Sequence, residues 1–291
     1  MAFSVSMRIA VKSLIGRALC ASAGNGDGAV AVLTYHSIGG GALGSQPVAR
    51  FRDQAMWLAR HALRFPVLSM RDALSGSNAA SGTSVLITFD DGYQDNADVA
   101  APILEEFGHR AVFFISTAFI DGDRRIVESF RNYSGLPNMT WDQVARLAER
   151  GHEIGLHGHC HPNYALLSLV EAEEDLERSM HLVRSRTGYV PVGFAYPFGQ
   201  PHHRRDDLAP VFGRLGIDYA FTTSHKRARV SALRARTELR LTIPRLRVDP
   251  GDTERIFVEK LRGVWDWVAA AQAVKSRLQM HPVSGTYARI K

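Results

Sequence analysis

Two groups of polar residues in this chain of 291 residues could carry out chemistry together. The first is the pair Asp90 and Asp91, which follows the apolar run 85–89 and precedes Gly92. Five apolar or β-branched residues in succession are typical of a buried parallel strand, so the two acids lie where a strand ends. Adjacent carboxylates in a site of low dielectric repel one another unless a cation or a proton is shared. A metal ion would resolve this conflict by binding one carboxylate and leaving the other free as a base.

The second group is the stretch 157–162, which reads His-Gly-His-Cys-His-Pro. Three residues separate His157 from His161, a spacing that brings two imidazoles to one side of a helical turn or tight loop. With one aspartate they would form a two-histidine, one-carboxylate set that leaves coordination positions for water and substrate. His159 is expected to point away, and Cys160 is an alternative ligand. The alternative interpretations are a solvated polar loop for the histidines and a helix N-cap or turn for the aspartates.

Short strands that alternate with helices must position these groups. Seven or eight apolar runs are separated by segments with helical spacing, two of which begin with capping boxes, at Thr140 with Gln143 and at Ser168 with Glu171. This alternation predicts parallel β/α units. Polar residues follow the predicted strand ends, namely His36, Asp90, Asp91, Ser116, His157, Tyr196 and Thr222. Because such ends converge on one face of a β/α barrel, the fold prediction is a single α/β barrel domain over residues 29–275.

The composition is that of an ordinary soluble globular protein, with 45% hydrophobic and 22% charged residues. No run of eighteen apolar residues is present, which excludes a membrane-spanning helix. The net charge of +6 comes largely from arginines concentrated in residues 225–248. This segment is predicted to be a solvated face, with an acidic glycan or a membrane surface as the alternative partner. No nucleic-acid motif is recognised, so nucleic acid is not an expected partner.

The two ends of the chain are predicted to lie outside the barrel. Residues 1–28 are predicted to be an amphipathic leader or N-terminal extension, because Arg17 interrupts the apolar core that a secretory signal requires. The two cysteines, Cys20 and Cys160, offer no disulfide framework, which suits a reducing compartment. A cytoplasmic protein with peripheral contact to the inner membrane is therefore expected, and export is the alternative. Residues 276–291 are predicted to be a C-terminal tail.

Two stretches of the chain resemble a known family. Residues 88–92, Thr-Phe-Asp-Asp-Gly, and residues 157–162 resemble the first two signature motifs of the polysaccharide deacetylases, the NodB-homology group or carbohydrate esterase family 4. The resemblance runs over about residues 34–248. It implies a distorted (β/α)7 TIM-like barrel and a hydrolase of non-peptide carbon–nitrogen bonds, which removes acetyl groups, usually from N-acetylated hexosamines, in a metal-dependent reaction.

The same resemblance implies a role for individual residues. Asp90 would be the general base, and the ligands of a divalent metal would be Asp91, His157 and His161. Zn2+ is the first expectation for this metal, with Co2+, Mn2+ and Ni2+ as alternatives. The family's third motif, Arg-any-Pro-Tyr, corresponds here to residues 195–198, Ala-Tyr-Pro-Phe. The resemblance implies that the backbone N–H of Phe198 stabilises an oxyanion, whereas Ala195 replaces the arginine that orients the base. Arg245, near another predicted strand end, is the candidate replacement, and a surface arginine is its alternative interpretation.

Residues 35–38, Tyr-His-Ser-Ile, resemble an N-terminal motif of a permuted branch that includes enzymes acting on poly-N-acetylglucosamine. The resemblance implies that His36 is the general acid, with a structural histidine as the alternative. Tyr93, Tyr196 and Trp141 are candidate sugar-stacking residues. The predicted function is N-deacetylation of hexosamines in a polysaccharide, an oligosaccharide or a lipid-linked glycan. Hydrolysis of another acyl group or a cyclic amide and non-catalytic glycan binding are the alternatives.

Overall fold

The computed structural model of the chain describes residues 5–22, 28–42, 44–75, 82–125 and 135–279. The strands are β1 (Ala29–Tyr35), β2 (Thr83–Phe89), β3 (Val112–Ile115), β4 (Glu153–Leu156), β5 (Gly193–Ala195), β6 (Tyr219–Phe221), β7 (Ala228–Arg229) and β8 (Leu246–Arg247). The helices are α1 (Val5–Ser22), α2 (Val48–Arg60), α3 (Met70–Ser75), α4 (Ala101–Glu106), α5 (Thr117–Ile120), α6 (Trp141–Glu149), α7 (Leu169–Thr187), α8 (Ala209–Leu215), α9 (Val230–Ala235), α10 (Glu254–Leu261) and α11 (Val268–Gln279).

Strands β1 to β6 lie in chain order and pair in parallel. The β1–β2 register extends from Ala29 opposite Thr83 to Tyr35 opposite Phe89. Both strands therefore end at the same level, and the residues that follow them, His36 and Asp90, leave the sheet side by side. Strand β7 pairs antiparallel with the start of β1, a pairing that was not predicted.

Residues 243–247 join the two edges of the parallel sheet. Ile243 forms a parallel bridge to Phe221 of β6, and two residues beyond Pro244, Leu246 of β8 pairs with Leu33 of β1. Together with β1 to β6 this segment makes the seventh position of a curled barrel. The predicted α/β barrel of the (β/α)7 type is therefore confirmed.

Alternate residues of the strands face two separate cores, as the period of two in a strand requires. One core fills the barrel interior, and it includes Val30, Val32, Leu86, Phe114, Phe221 and Ile243. The other lies between the strands and the surrounding helices, and it includes Leu33, Ile87, Phe113, Leu58, Leu104, Leu147 and Leu176. Gly155 of β4 gives the Phe114 ring its space, because a Cβ at this position would lie 2.3 Å from a ring carbon.

Most element boundaries agree with the predictions from the sequence, and both predicted capping boxes are present, at Thr140 and Ser168. The extended stretch predicted over residues 239–248 is wrong in its first part, where the chain forms a 3-10 turn, Thr237–Thr242. Pro244 disfavours helical backbone at the residue before it, so the chain becomes extended only from Ile243 onward. The predicted helix over residues 98–107 instead begins with a π-helical turn, Asn96–Ala100, and continues as α4.

Helix α1, within the predicted leader, packs against α10 and the loop that follows it. Ser13 Oγ donates to Glu259 at 2.6 Å, and Arg17 Nε donates to the same carboxylate at 3.0 Å. Gly16 approaches the carbonyl of Val264 so closely that a Cβ at this position would lie 1.8 Å from the oxygen. Within the described ranges, no helix has the length and apolarity needed to cross a bilayer. Residues 280–291 of the predicted tail lie outside the described residues.

Candidate active site

The carboxyl ends of the barrel strands carry the predicted site residues. Asp90 and Asp91 follow β2, His157 follows β4, and Phe198 lies three residues after β5. Arg245 belongs to the closing segment and directly precedes β8. Parallel strands direct these ends to one face, so residues separated by up to 155 positions come into contact there.

Asp91, His157 and His161 form a buried group of potential metal ligands. Asp91 Oδ1 lies 3.3 Å from His157 Nε2 and 3.4 Å from His161 Nε2. One ligand atom from each of the three residues lies within 4.8 Å of the others. The sequence prediction that these three side chains meet is therefore matched by their positions in the structure.

The hydrogen bonds of His157 test whether this group fits a metal ion. Its Nδ1 lies 2.8 Å from the carbonyl oxygen of Ala195. Because a carbonyl only accepts, Nδ1 carries a proton, and Nε2 is the ring atom that faces the carboxylate of Asp91. Burial would lower the pKa of His157, but the charges of Asp90 and Asp91 and the hydrogen bonds to Asp91 and to the Ala195 carbonyl outweigh it and raise this pKa. A divalent cation between these two atoms would take the place of the Nε2 proton, and a histidine that donates its other ring N–H to a carbonyl is the usual arrangement at a metal. The donor set therefore fits a divalent ion.

Burial and mutual charge set the protonation of this group. Burial and, to a smaller extent, the charge of His157 lower the pKa of His161 to about 3, against the opposing charges of Asp91 and Asp90. His161 is therefore neutral at pH 7, with a lone pair available. Burial would raise the pKa of Asp91, but its hydrogen bond to His157 and the charges of the nearby histidines keep it well below the ordinary value.

Asp175 of α7 holds the histidine-rich loop in place. Its carboxylate accepts hydrogen bonds from the backbone N–H groups of His159 and Cys160, at 2.9 and 3.1 Å, and from Tyr164 Oη at 2.6 Å. The His159 ring lies 2.8 Å from Thr117 Oγ1, away from the ligand group. Cys160 is exposed and lies outside that group.

Arg245 and Asp90 form a buried, two-pronged ion pair. The guanidinium donates through Nη1 and Nη2 to the two carboxylate oxygens of Asp90, each at 2.7 Å, and its Nε donates to the Thr222 carbonyl at 3.0 Å. Arg245 is only 1% exposed, so the interpretation as a surface arginine is wrong. Burial would raise the pKa of Asp90, but Arg245 outweighs it and keeps that pKa below the ordinary value. The carboxylate is therefore ionised and fixed in orientation.

Backbone strain is concentrated at the same site. Among the described residues, three that are not glycine have a positive φ, namely Asp91 at 77°, His161 at 50° and Phe198 at 63°. Each such conformation costs on the order of 1–3 kcal/mol and persists where the surroundings enforce it, which is most often at functional sites. All three belong to the set of site residues predicted from the sequence.

Phe198 lies at the open side of the ligand group. The residue is 40% exposed, and the ring centroids of Phe198 and His161 are 4.9 Å apart. Thr223 Oγ1 donates to the Phe198 carbonyl at 3.0 Å, which fixes the peptide unit that follows the left-handed residue.

His36 leaves β1 beside Asp90, and its side chain is partly buried. Burial lowers the pKa of His36, while the charges of Asp91 and Asp90 oppose this effect, so the ring lies within electrostatic reach of both aspartates. The backbone carbonyl of His36 accepts a hydrogen bond from Asn96 Nδ2 at 2.7 Å.

The prediction of a sugar-stacking role is wrong for two of its three residues, Tyr93 and Tyr196. Tyr93 is 0% and Tyr196 is 2% exposed, so neither ring offers a face to a ligand. Tyr196 packs instead against Phe194 and Phe212 of the core. Trp141 is partly buried, and its Nε1 donates to Asp121 at 2.7 Å.

Three polar residues near the site, Asp95, Asn96 and Asp175, were not predicted from the sequence. A signal for Asp175 exists, because this acid lies between Ala172, Leu176 and Ser179 on the buried face of an amphipathic helix. A carboxylate on such a face needs donors from another segment. Which segment supplies them depends on the packing of α7 against the barrel.

Comparisons with known proteins agree with the geometry. Residues 77–220 match the family described as polysaccharide deacetylase. The candidate polysaccharide deacetylase YxkH of Bacillus subtilis (strain 168) is 25% identical over 229 residues, which cover 78% of this chain and 74% of that protein. The poly-beta-1,6-N-acetyl-D-glucosamine N-deacetylase of Staphylococcus epidermidis (strain RP62A) is 26% identical over 189 residues, or 60% of each chain. The structure of the Streptococcus pyogenes deacetylase PplD in complex with acetate has a TM-score of 0.65 at 20% identity. The match covers 81% of this chain and 99% of that chain, so the two share a fold.

Proposed function

This chain carries a polysaccharide deacetylase domain and is a hydrolase of non-peptide carbon–nitrogen bonds, and we propose that it is a metal-dependent N-deacetylase of N-acetylated hexosamines. The observation that carries the proposal is the adjacency of two differently held carboxylates. Asp91 faces two imidazoles at 3.3 and 3.4 Å, and Asp90 is paired with Arg245. The name of the Staphylococcus epidermidis relative supports a poly-N-acetylglucosamine substrate.

In the proposed reaction, Asp91, His157 and His161 hold a divalent ion, Zn2+ first, with Co2+, Mn2+ and Ni2+ as alternatives. When bound, such an ion would lower the pKa of a water molecule to about 7 and would polarise the acetyl carbonyl. Asp90 accepts the proton of the attacking water. The two hydrogen bonds from Arg245 fix the rotation of the Asp90 carboxylate, and each of its oxygens keeps a second lone pair that can accept the proton.

The departing amine and the developing oxyanion need further groups. An amide nitrogen is a poor leaving group, so the reaction requires a proton donor as well as a nucleophile. In our proposal His36, which leaves β1 beside Asp90, donates this proton as an imidazolium, a form that burial disfavours and the charges of Asp91 and Asp90 favour. The proton that Asp90 takes from water balances the one that His36 gives up. The backbone N–H of Phe198 donates to the oxyanion, and the left-handed conformation of this residue orients the peptide unit for that bond.

Acetate release tests the proposal. We expect metal-loaded protein to release acetate from N-acetylglucosamine oligomers, EDTA to abolish the release, and added Zn2+ or Co2+ to restore it. If the protein instead removes another acyl group or opens a cyclic amide, and releases no acetate from the oligomers, the N-acetylated hexosamine is the wrong substrate class. Oligomer binding without acetate release, even with metal added, would contradict an enzymatic function and favour the glycan-binding alternative.

A further inference from the structure

We propose that Asp95 and Asn96 form a clamp that positions His36 against Asp90 and Asp91. The inference rests on the proposed function, in which His36 is the general acid. The clamp pair acts through another residue and is not itself expected to touch substrate.

Three consecutive residues of the loop after β1 are bound by the clamp. Asn96 Nδ2 donates to the His36 carbonyl at 2.7 Å, and Asp95 Oδ2 accepts from Ser37 Oγ at 2.5 Å. Asp95 Oδ1 accepts from the backbone N–H of Ile38 at 3.1 Å. The loop is therefore held by both backbone and side-chain groups, beginning at the carbonyl of the proposed acid.

The two clamp residues are also bound to one another, because Asn96 Nδ2 donates to Asp95 Oδ1 at 2.9 Å. Asn96 is fully buried, and its amide nitrogen must face the His36 oxygen, since a carbonyl only accepts. The close packing of Gly40 against the contact between Asp95 and Ser37 indicates that this contact is specific. A Cβ at Gly40 would lie 2.8 Å from Asp95 Oδ2 and 2.6 Å from Ser37 Oγ, so a residue without a side chain is needed there.

The position of the clamp in the chain explains what it would do. The paired part of β1 ends at Tyr35, opposite Phe89, and His36 lies beyond it. Asp95 and Asn96 lie four and five residues after Asp91, at the start of the π-helical turn that follows the aspartate pair. The clamp therefore ties the proposed acid to the same element that carries the proposed base and a proposed metal ligand. A fixed separation between these groups is what proton transfer to the leaving amine requires.

Two substrates that differ in their need for an acid test this role. An N-acetylglucosamine oligomer releases an amine that must be protonated, whereas 4-nitrophenyl acetate releases a stable phenolate. A positioning defect should therefore affect the first substrate alone, while a folding or metal defect affects both. We expect Asp95→Ala to lower kcat on the oligomer about 100-fold. On the ester we expect a change of less than about threefold, at unchanged metal content.

Matched variants complete the test. Ser37→Ala removes one donor to the clamp without changing its charge, and it provides a second measurement if Asp95→Ala folds poorly. Asp95→Asn keeps an acceptor oxygen and should recover part of the oligomer rate. Asp98→Ala serves as the control, because Asp98 is exposed on the same turn and accepts from Gln94 and Gln143 instead. This control should leave both rates unchanged.

The outcomes separate the clamp from the proposed function. If His36→Ala loses the oligomer rate selectively but Asp95→Ala and Ser37→Ala do not, the clamp is wrong and the acid assignment stands. Equal losses on both substrates in the clamp variants would also overturn the clamp, in favour of a purely structural role. If metal-loaded wild-type protein hydrolyses the ester but releases no acetate from any oligomer, the proposed function fails, and the clamp fails with it.

Discussion

Asp90 and Asp91 are neighbours in the chain, but their carboxylates have different partners. Asp90 is paired with the buried guanidinium of Arg245, whereas Asp91 faces the imidazoles of His157 and His161. The left-handed backbone at Asp91 turns the two side chains to different sides of the chain. One carboxylate is thus available to an ion, and the other is held apart from it.

The first prediction concerns the separate roles of these two carboxylates, which substitutions can distinguish. Asp91→Ala and His157→Ala should lose bound metal, because each removes a ligand. Asp90→Asn should keep the metal and lower kcat by about 100-fold or more, since it removes a proton acceptor. Elemental analysis measures the metal content of the three variants, and acetate release measures their activity. Equal metal loss in all three variants would contradict the assignment of separate roles.

The second prediction concerns the buried ion pair. Arg245→Ala leaves the Asp90 charge without a partner and should lower the free energy of unfolding by about 3–5 kcal/mol. Arg245→Lys restores the charge but not the two parallel hydrogen bonds, so stability should recover more than activity. The double variant Asp90→Asn/Arg245→Leu should be more stable than Arg245→Ala and remain inactive. Urea unfolding measures these differences, and an Arg245→Ala protein as stable as wild type would exclude the pair as a structural element.

The third prediction is a pH dependence at Asp95. Burial, with a smaller contribution from Asp98, raises the pKa of Asp95 to about 6, against its bonds from Ser37, Ile38 and Asn96. Because the folded state binds this proton more tightly than the unfolded state, stability contributed by the protonated form is lost as pH rises from about 4 to about 6. Asp95→Asn mimics the neutral form, so its stability relative to wild type should increase by about 2 kcal/mol between pH 4 and pH 8.

Denaturant unfolding of both proteins in EDTA measures this difference. The chelator removes metal at every pH, so metal dissociation at low pH cannot cause the change in stability. The comparison uses the change with pH and not the absolute difference, which also contains the altered hydrogen bonds of the amide. A stability difference that stays constant from pH 4 to pH 8 would show that Asp95 titrates normally.

The site residues differ in how far the sequence could predict them. The aspartate pair and the two histidines follow apolar runs and have spacings that indicate a metal site. Arg245 could only be a candidate, because its contact with Asp90 depends on where residues 243–247 close the barrel. The donors to Asp95 and Asp175 lie in other loops, so only the folded arrangement identifies these acids.

At the scale of single elements, α7 supports the histidine-rich loop through one side chain. The Ser168 capping box begins this helix and Gly188 ends it in a left-handed conformation, so its length is set by local sequence. Asp175 is placed within it to accept from three donors of the loop and of Tyr164. The loop geometry at His161 is therefore maintained from outside the ligand group.

The fourth prediction follows from this support. Asp175→Ala should weaken metal affinity by about 10–100-fold, although Asp175 lies outside the ligand group, because the loop that carries His161 loses its acceptor. Competition with a chelator of known affinity measures the change. Glu174→Gln is the matched control, since this neighbour is exposed. Equal affinities of Asp175→Ala and wild type would indicate that the loop keeps its form without this carboxylate.

Element boundaries were predictable where local chemistry decides them. Capping boxes, glycine C-caps and unbroken apolar runs gave α6, α7, β1 and β2 close to their observed limits. The antiparallel strand β7 was missed, because its backbone bonds are made with the distant strand β1. The 3-10 turn Thr237–Thr242 was also missed, although its backbone bonds are local, as in the bond from the Leu239 N–H to the Arg236 carbonyl.

For the whole molecule, barrel closure creates the site. Residues 243–247 bring Arg245 beside Asp90 across 155 positions, and the parallel order of β1 to β6 brings the other strand ends to the same face. Alternating strands and helices indicate this fold class, but they do not give the register at which the two edges meet. The class of fold was therefore predictable, and the partner of Asp90 was not.

Charge at the surface is more balanced than the sequence of residues 225–248 indicates. Arg227 pairs with Asp266 at 3.0 Å, and Arg247 pairs with Asp249 at 2.8 Å, so acids from beyond this segment neutralise part of it. Helix α1 leaves Val11, Leu14 and Ile15 exposed. Contact of this helix with a membrane stays a prediction, as does the location of the protein in the cell.

The central claim is that two remote segments meet around a divalent ion, and the position of that ion tests it most directly. Crystals of zinc-loaded protein, measured at the zinc absorption edge, should give one strong anomalous peak per chain. We expect the peak at about 2.0–2.2 Å from Asp91 Oδ1, His157 Nε2 and His161 Nε2, with Asp90 bound to Arg245 and not to the ion. A peak elsewhere, or one in which Asp90 replaces Asp91 as ligand, would contradict the account.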